Sequence, residues 1–524
     1  MPIDLESLPD DPVILRELVA NSEVEIIGLR AEIDKLHLLI GKLNRHRFGR
    51  RSEQLDADQL ALAIEDLEQA QAAGEAAADA AADANKPPRK RRQRNLGDLP
   101  SSLPQIEVIV DIENKSCTCC GGALHQIGET VTKMLDMVPA IFRVKVIRRP
   151  RYACEACDAP IVQAPAPPRP IDGGMATEAL VAHVLVGKFV DHLPLYRQAQ
   201  IFERQGIKLD RSTLGDWVGR ACWWLWPVYD AIVAHVIAQA KVFADDTTLP
   251  VLDPGRGKTK IGRLWCYAVD DRPWCGPAPP AAAFVYATDR KGEHPATHLA
   301  KFHGVLQVDG YAGFGAVVKE RVDDQVTLAF CWTHARRYFF EFHASTQSPI
   351  AAETLARIAQ LYAIETEIRG QPAATRQAVR QAKSRPLIEA MHEWLNAQLP
   401  RISKGSDLAK AMRYTLRHWA GLTLFLDDGR IELDTNTVER EIRRIPLGRK
   451  NALFAGNDAG AEHWALMATL IASAKLNDVE PLAYLTDILE RIVSGRTKAT
   501  EIGRLLPWKW KAERAATEIV QAAA

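Results

Sequence analysis

The sequence predicts a multidomain α+β protein. An N-terminal coiled coil, a ribbon closed by cysteines and a helical region precede an α/β domain with an all-α insertion, and a helical tail ends the chain. Three observations predict this. Aliphatic residues recur in heptads through residues 13–44, two CxxC pairs bracket an alternating stretch, and three acid-bearing segments follow in the order strand, strand, helix. At 524 residues the chain exceeds what one hydrophobic core supports, so several domains are expected.

Composition bounds the class. Hydrophobic residues make up 47% and charged residues 25%, as in ordinary soluble proteins. No apolar run is long enough to span a bilayer, and the acidic start MPIDLESLPDD is unlike a secretory signal, so a cytoplasmic protein is expected. Nine cysteines in that compartment argue against a disulfide framework. The 66 basic and 66 acidic residues cancel, yet the positive charge is clustered, in KLNRHRFGRR, PPRKRRQR, RVKVIRRPR and REIRRIPLGRK. A neutral chain with clustered cations can still bind nucleic acid.

Taken in order, residues 1–55 form the coil. Val19, Ile26, Ile33 and Ile40 occupy one seam, and Leu15, Leu29, Leu36 and Leu43 the other, with Ser22 the polar exception. β-Branched residues at one seam and leucine at the other favour a parallel two-stranded coil, hence a homodimer or higher oligomer. Residues 56–98 are an Ala-rich linker with a basic end, where Arg89, Lys90, Arg91 and Arg92 would lie along phosphates. Residues 99–170 are read as a zinc ribbon. Cys117, Cys120, Cys154 and Cys157 supply four thiolates for one structural Zn²⁺, and IFRVKVI between the pairs suits a strand.

Residues 171–238 are read as a helix-turn-helix-like, DNA-binding region. In RQGIKLDRSTLGDWVGRA, Gly206 makes the turn, Asp210 or Ser212 caps, and Arg211 is the DNA-facing cation. Trp217, Trp223, Trp224 and Trp226 are read as core rather than a base-stacking platform, because no charge interleaves them.

Residues 239–455 carry the acids. VFADDTTLPVL and GVLQVDGYAGF each run from apolar residues into an acid, Asp245 and Asp309; DTNTVEREIRR starts a helix that carries Glu439. Two strand-borne carboxylates and one helix-borne carboxylate suit two Mg²⁺ (or Mn²⁺) ions and phosphoryl transfer. Asp245 and Asp246 are adjacent, so on a strand only one can face the site. Residues from about 345 to 430 read as an all-α insertion. Cys331 and His334 stand in CxxH spacing, read as structural for want of a second pair; the alternative reading has His334, Arg336 and Arg337 steady the scissile phosphate. Arg440, Arg443, Arg449 and Lys450 would neutralise DNA phosphates near the acids. Residues 456–524 are a helical extension broken near Asn477 and Pro481.

The segments ADDTTLPVL, LQVDGYAGF, CWTHARRYF, TNTVEREIR and GRKNALFAGNDAGAEHWA, in this order, closely resemble the transposases of the insertion-sequence-66 family. The resemblance covers nearly the whole chain. It implies a ribonuclease-H-like α/β catalytic domain of the DDE type, with Asp245, Asp309 and Glu439 as the triad. It further implies cleavage of transposon ends, joining of the 3′-hydroxyls to target DNA, and accessory proteins from the same element. Family members usually read Ala-Asp-Glu-Thr at the first acid, which favours Asp245 over Asp246. They also carry a Cys-Pro-x-Cys-Gly-Gly start to the zinc segment. This chain has CTCCGG, so Cys119 is an additional thiol. The rival readings are a nuclease of the same fold without joining activity, and a non-catalytic DNA-binding regulator.

Overall fold

The computed structural model describes residues 142, 144–148, 151–152, 162–163, 166–171, 174–253, 258–319 and 326–523. The heptad segment, the linker with Arg89, Lys90, Arg91 and Arg92, and Cys117, Cys120, Cys154 and Cys157 lie outside these residues. Residues 144–148, expected as a ribbon strand, carry no strand, and Val144 and Val146 are exposed. The alternating pattern there has no partner strand among the described residues. A two-residue antiparallel ladder instead joins Arg151–Tyr152 to Val162–Gln163.

A mixed five-stranded sheet organises residues 141–524, which form one compact unit. β1 (Lys241–Asp253), β2 (Lys258–Val269) and β3 (Ala281–Ala287) make an antiparallel meander. β4 (Gly304–Val308) and β5 (Val326–Phe330) add in parallel on the other side of β1, giving the order β3-β2-β1-β4-β5. Helices cover both faces, so the strands read as continuous apolar runs, with Val242 to Ala244 and Leu264 to Val269 all buried.

Strand alternation divides the core in two. Val242, Ala244, Trp265, Tyr267 and Val269 face a large core built with α1 (Glu178–Phe189), α2 (Leu195–Arg204) and α3 (Arg211–Ile237). Phe243, Leu249, Leu264, Cys266 and Ala268 face a smaller core on the opposite side. The turn between α2 and α3 contains Gly206 at φ +83°, a left-handed conformation that glycine adopts without strain. Residues 171–238, expected as a separate unit, share the large core with the sheet: Tyr229 on α3 donates to the Phe284 carbonyl at 3.0 Å. Trp217 is buried and Trp224 donates to the Pro170 carbonyl, as core residues should, but Trp223 is 68% exposed. It points away from the sheet on the outer stripe of α3.

Short helices α4 (Glu293–His298) and α5 (Gly315–Lys319) link β3 to β4 and β4 to β5. After β5 the chain leaves the sheet through α6 (Trp332–Thr346), α7 (Pro349–Ile368), α8 (Ala373–Val379), α9 (Arg385–Gln398), α10 (Asp407–Arg417) and α11 (Trp419–Thr423). This all-α excursion has its own core around Trp332, Phe339, Leu361, Met391, Leu395 and Met412. Two fully buried arginines, Arg376 and Arg380, both reach Glu365, which satisfies charges the helices could not otherwise bury.

The chain then returns through α12 (Asn436–Ile442) and α13 (Arg444–Ala452). Helices α14 (Asp458–Leu476), α15 (Pro481–Val493) and α16 (Pro507–Ala523) follow, with the break at Asn477 and Pro481. α14 lies against the edge strand β3. Thr469 Oγ1 accepts from the Phe284 amide at 2.8 Å and Ser473 Oγ from the Ala282 amide at 3.2 Å. Side chains of a helix thus satisfy edge amides that would otherwise invite another strand.

Candidate active site

β1 and β4 run parallel, with Ala244 opposite Val308 as the last pair. Asp245 and Asp309 are the next residues on each chain. They therefore emerge side by side where β4 stops while β1 runs on to Asp253. Asp245 is thus mid-strand rather than at a strand end, and it becomes accessible because its neighbour terminates. Beyond it, the freed edge of β1 pairs with Ala455, whose amide donates to the Pro250 carbonyl at 2.9 Å.

The same alternation separates the two adjacent aspartates. Asp245 shares a face with Phe243 and Leu249, and on that face Val438 and Ile442 of α12 pack. Asp246 faces the other way. Its side chain is fully buried between Arg263 (2.9 Å) and Arg290 (2.8 Å). No cation pairs with Asp245 among the described residues; its Oδ1 accepts only the Asp246 amide at 2.7 Å. Burial first, and then the charge of Asp309, push the Asp245 carboxyl up to about 7, with Asp246 and Glu439 adding to the effect.

Asp309 is fixed at both ends. Its Oδ1 accepts from the Tyr311 amide at 2.8 Å and its carbonyl from the Tyr414 hydroxyl at 2.9 Å. Gly310, at φ +95°, lets Tyr414 approach: a Cβ there would stand 2.3 Å from the hydroxyl.

Glu439 lies in the first turn of α12. Three ties bring it back from the helical insertion. Buried Lys241 at the foot of β1 donates to the Arg430 carbonyl at 2.9 Å, and burial lowers its pKa to about 8. Gln307, fully buried within β4, donates to the carbonyls of Glu432 (2.5 Å) and Asp434 (3.1 Å). The Trp332 amide donates to the Leu433 carbonyl at 2.9 Å. Asp434, just ahead of the helix, accepts from the Asn436 amide at 3.1 Å in an Asx turn that leads into α12. The Thr435 hydroxyl donates to Glu439 Oε1 at 3.1 Å instead of capping. His334 Nδ1 stands 3.8 Å from the same oxygen, and burial lowers the proton affinity of its imidazole against the pull of Glu439 and Asp309.

The cations expected to meet DNA differ in their surroundings. Arg211, Arg440, Arg443 and Lys450 are exposed. Arg449 is only partly exposed, and its Nη1 donates to the Thr248 carbonyl at 2.6 Å and to the Thr248 hydroxyl. Sequence reasoning missed Gln307, Lys241 and the two guanidiniums on Asp246. The signal for Gln307 was a lone polar residue inside the apolar run GVLQV; nothing comparable marked the others.

Family comparisons agree with this architecture. Residues 173–463 match the family model described as "Transposase IS66 family". Residues 35–108 match "Transposase C of IS166 homeodomain", 114–158 the zinc-finger binding domain of transposase IS66, and 469–508 the IS66 C-terminal element. The chain belongs to the IS66 family of transposases. The uncharacterized protein y4jD of Sinorhizobium fredii is 48% identical over 97% of this chain and 98% of its own length. A second uncharacterized protein of that organism, y4hP, is 41% identical over 93% of this chain and 90% of its own length.

Proposed function

We propose that the protein cleaves transposon ends and joins the freed 3′-hydroxyls to target DNA, with Asp245, Asp309 and Glu439 as the catalytic carboxylates. The observation that carries this is the meeting of Asp245 with the charges of Asp309 and Glu439, with no cation among the described residues paired with Asp245. An arrangement that costly in its own right needs an external cation. Three oxygen donors suit Mg²⁺ or Mn²⁺ and not a softer metal. When bound, two such ions would supply Lewis acidity at the attacking and leaving oxygens. The strand order, with an antiparallel meander joined to two parallel strands, supports a ribonuclease-H-like reading of the sheet. Asp245 is favoured over Asp246 as the first ligand because Asp246 is already neutralised by Arg263 and Arg290.

The chain's own residues position and exclude. Thr435 and the segment held by Gln307 orient Glu439; Tyr311 and Tyr414 orient Asp309. Arg440, Arg443 and Lys450, on and beyond the helix that bears Glu439, would take DNA phosphates. Arg211, Arg89, Lys90, Arg91 and Arg92 would extend that contact. Cys117, Cys120, Cys154 and Cys157 would hold a structural Zn²⁺, and the matched zinc-finger segment spans all four. The N-terminal coil would bring two copies together so that one complex holds both ends.

The test is a joining assay. Purified protein is mixed with a labelled duplex carrying the element's end, a plasmid target and Mg²⁺, in parallel with Asp309→Ala. Joined product from the wild type alone is the expected result. Cleavage without joining would make the protein a nuclease, and binding with neither would make it a regulator.

A further inference from the structure

Glu439 also belongs to a group of metal-ligating side chains that lies outside the proposed carboxylate triad. Cys331 stands at the N-cap of α6 and His334 follows one turn later, which puts both on one side of the helix. The Cys331 thiol, the His334 ring nitrogen and a Glu439 oxygen all lie within 4.8 Å of one another. His334 Nδ1 is buried without a hydrogen-bond partner, since 3.8 Å to Glu439 Oε1 is too long for one. A common scaffold places the other two: the Thr435 amide donates to Cys331 Sγ at 3.4 Å, and the Thr435 hydroxyl to Glu439 at 3.1 Å. His334 and Glu439 keep 19% and 16% of their side chains exposed, so an ion and a water can reach them.

We propose that Cys331, His334 and Glu439 form a site for Zn²⁺ or a similarly soft divalent transition-metal ion, and that filling it withdraws Glu439 from Asp245 and Asp309. Thiolate, neutral imidazole and carboxylate together balance the charge of a divalent ion, which suits a half-buried position. Binding releases the thiol proton to solvent. Tetrahedral bonds of about 2.0–2.3 Å put ligand atoms roughly 3.3–3.7 Å apart, so side-chain adjustments of about 1 Å close the site around an ion with one position left for water. Mg²⁺ prefers oxygen and rejects a sulfur–nitrogen pair, so the two kinds of metal would compete only through Glu439. The metal site stands independently of the transposase reading; the braking effect rests on it.

The experiment uses the full-length protein dialysed against buffered free Zn²⁺, with bound zinc counted by mass spectrometry for wild type, Cys331→Ser and His334→Ala. Each variant is expected to bind about one zinc ion fewer per chain, because the carboxylates and the CxxC pairs are untouched. With Co²⁺ in place of Zn²⁺, the sulfur-to-cobalt charge-transfer absorption from this site should vanish in Cys331→Ser and weaken in His334→Ala. Equal metal counts in all three proteins overturn the site, whether or not the protein proves to be a transposase. In the end-cleavage assay, the zinc concentration that halves Mg²⁺-dependent activity should rise at least about tenfold in Cys331→Ser. Unchanged inhibition overturns the brake. Absent cleavage by the wild type would instead count against the transposase reading, and the zinc count would still decide the site.

Discussion

Replacing Asp245 with asparagine should make the metal-free protein more stable, although it removes a proposed metal ligand. The carboxyl sits near 7 in the folded protein against an ordinary 3.8, because burial and the neighbouring acids disfavour its charge. The folded state therefore holds this proton more tightly than the unfolded chain does. Its destabilising effect is absent below about pH 4, grows as pH rises, and is complete above about pH 7. Three units correspond to at most about 4 kcal/mol. With an unfolding entropy of about 2.1 cal/mol/K per residue over residues 141–524, that is roughly 5 °C in Tm. Calorimetry in chelator at pH 8 and pH 5, on wild type and Asp245→Asn, reads it directly. The variant should melt higher at pH 8, with the gap narrowing at pH 5. Mg²⁺ added at pH 8 should raise the wild-type Tm more than that of the variant. A variant less stable than wild type at pH 8, or a gap independent of pH, would refute the reading that burial and the neighbouring acids disfavour the Asp245 charge with no paired cation among the described residues.

Other substitutions test the supports of the site. Gln307→Leu strips the donors from two buried carbonyls and should cost about 2–4 kcal/mol in urea unfolding, while abolishing end cleavage and leaving DNA affinity intact. Arg440→Ala and Arg443→Ala, on exposed residues, should leave stability within about 0.5 kcal/mol of wild type. Each should also lower the salt slope of DNA binding by about 1. Arg449→Ala should behave differently and destabilise by about 1–2 kcal/mol, because its guanidinium ties α13 to Thr248. Thr469→Val should cost about 1–2 kcal/mol by leaving the Phe284 amide unpaired, with hydrogen exchange accelerating along β3.

The long helical excursion between the second and third acids shows how a distant segment is brought back to the sheet. Its own core folds around Trp332 and Met412 and is anchored to the sheet through Ala329 and Phe330 of β5 and Val305 of β4. The return is set by backbone carbonyls of 430–434, which find donors in Lys241, Gln307 and the Trp332 amide. A segment in this position carries unsatisfied polar groups unless such donors exist, and here two of the three are side chains rising from the strands that carry Asp245 and Asp309.

The sequence by itself determined the positions of the strands and helices that bear the acids, the helical character of the insertion and the break at Asn477 and Pro481. Apolar runs, cap residues and proline act locally, and these elements needed nothing more than local rules. It also placed Asp309 at the end of β4 and Glu439 in the first turn of α12. That only one of Asp245 and Asp246 can face the site followed from strand alternation, but the burial of Asp246 between Arg263 and Arg290 was beyond the sequence, because those partners come from other strands and loops. Nor did local rules indicate that α3 and α14 join the sheet's own core, or that Thr469 and Ser473 close its edge. The CxxH pair looked incomplete for the same reason: its third ligand lies on a helix more than one hundred residues later, brought within 4.8 Å only by the fold. Local propensity fixes elements, but contacts across such separations depend on which faces are left apolar and which polar groups still need partners, and only the assembled tertiary structure decides that.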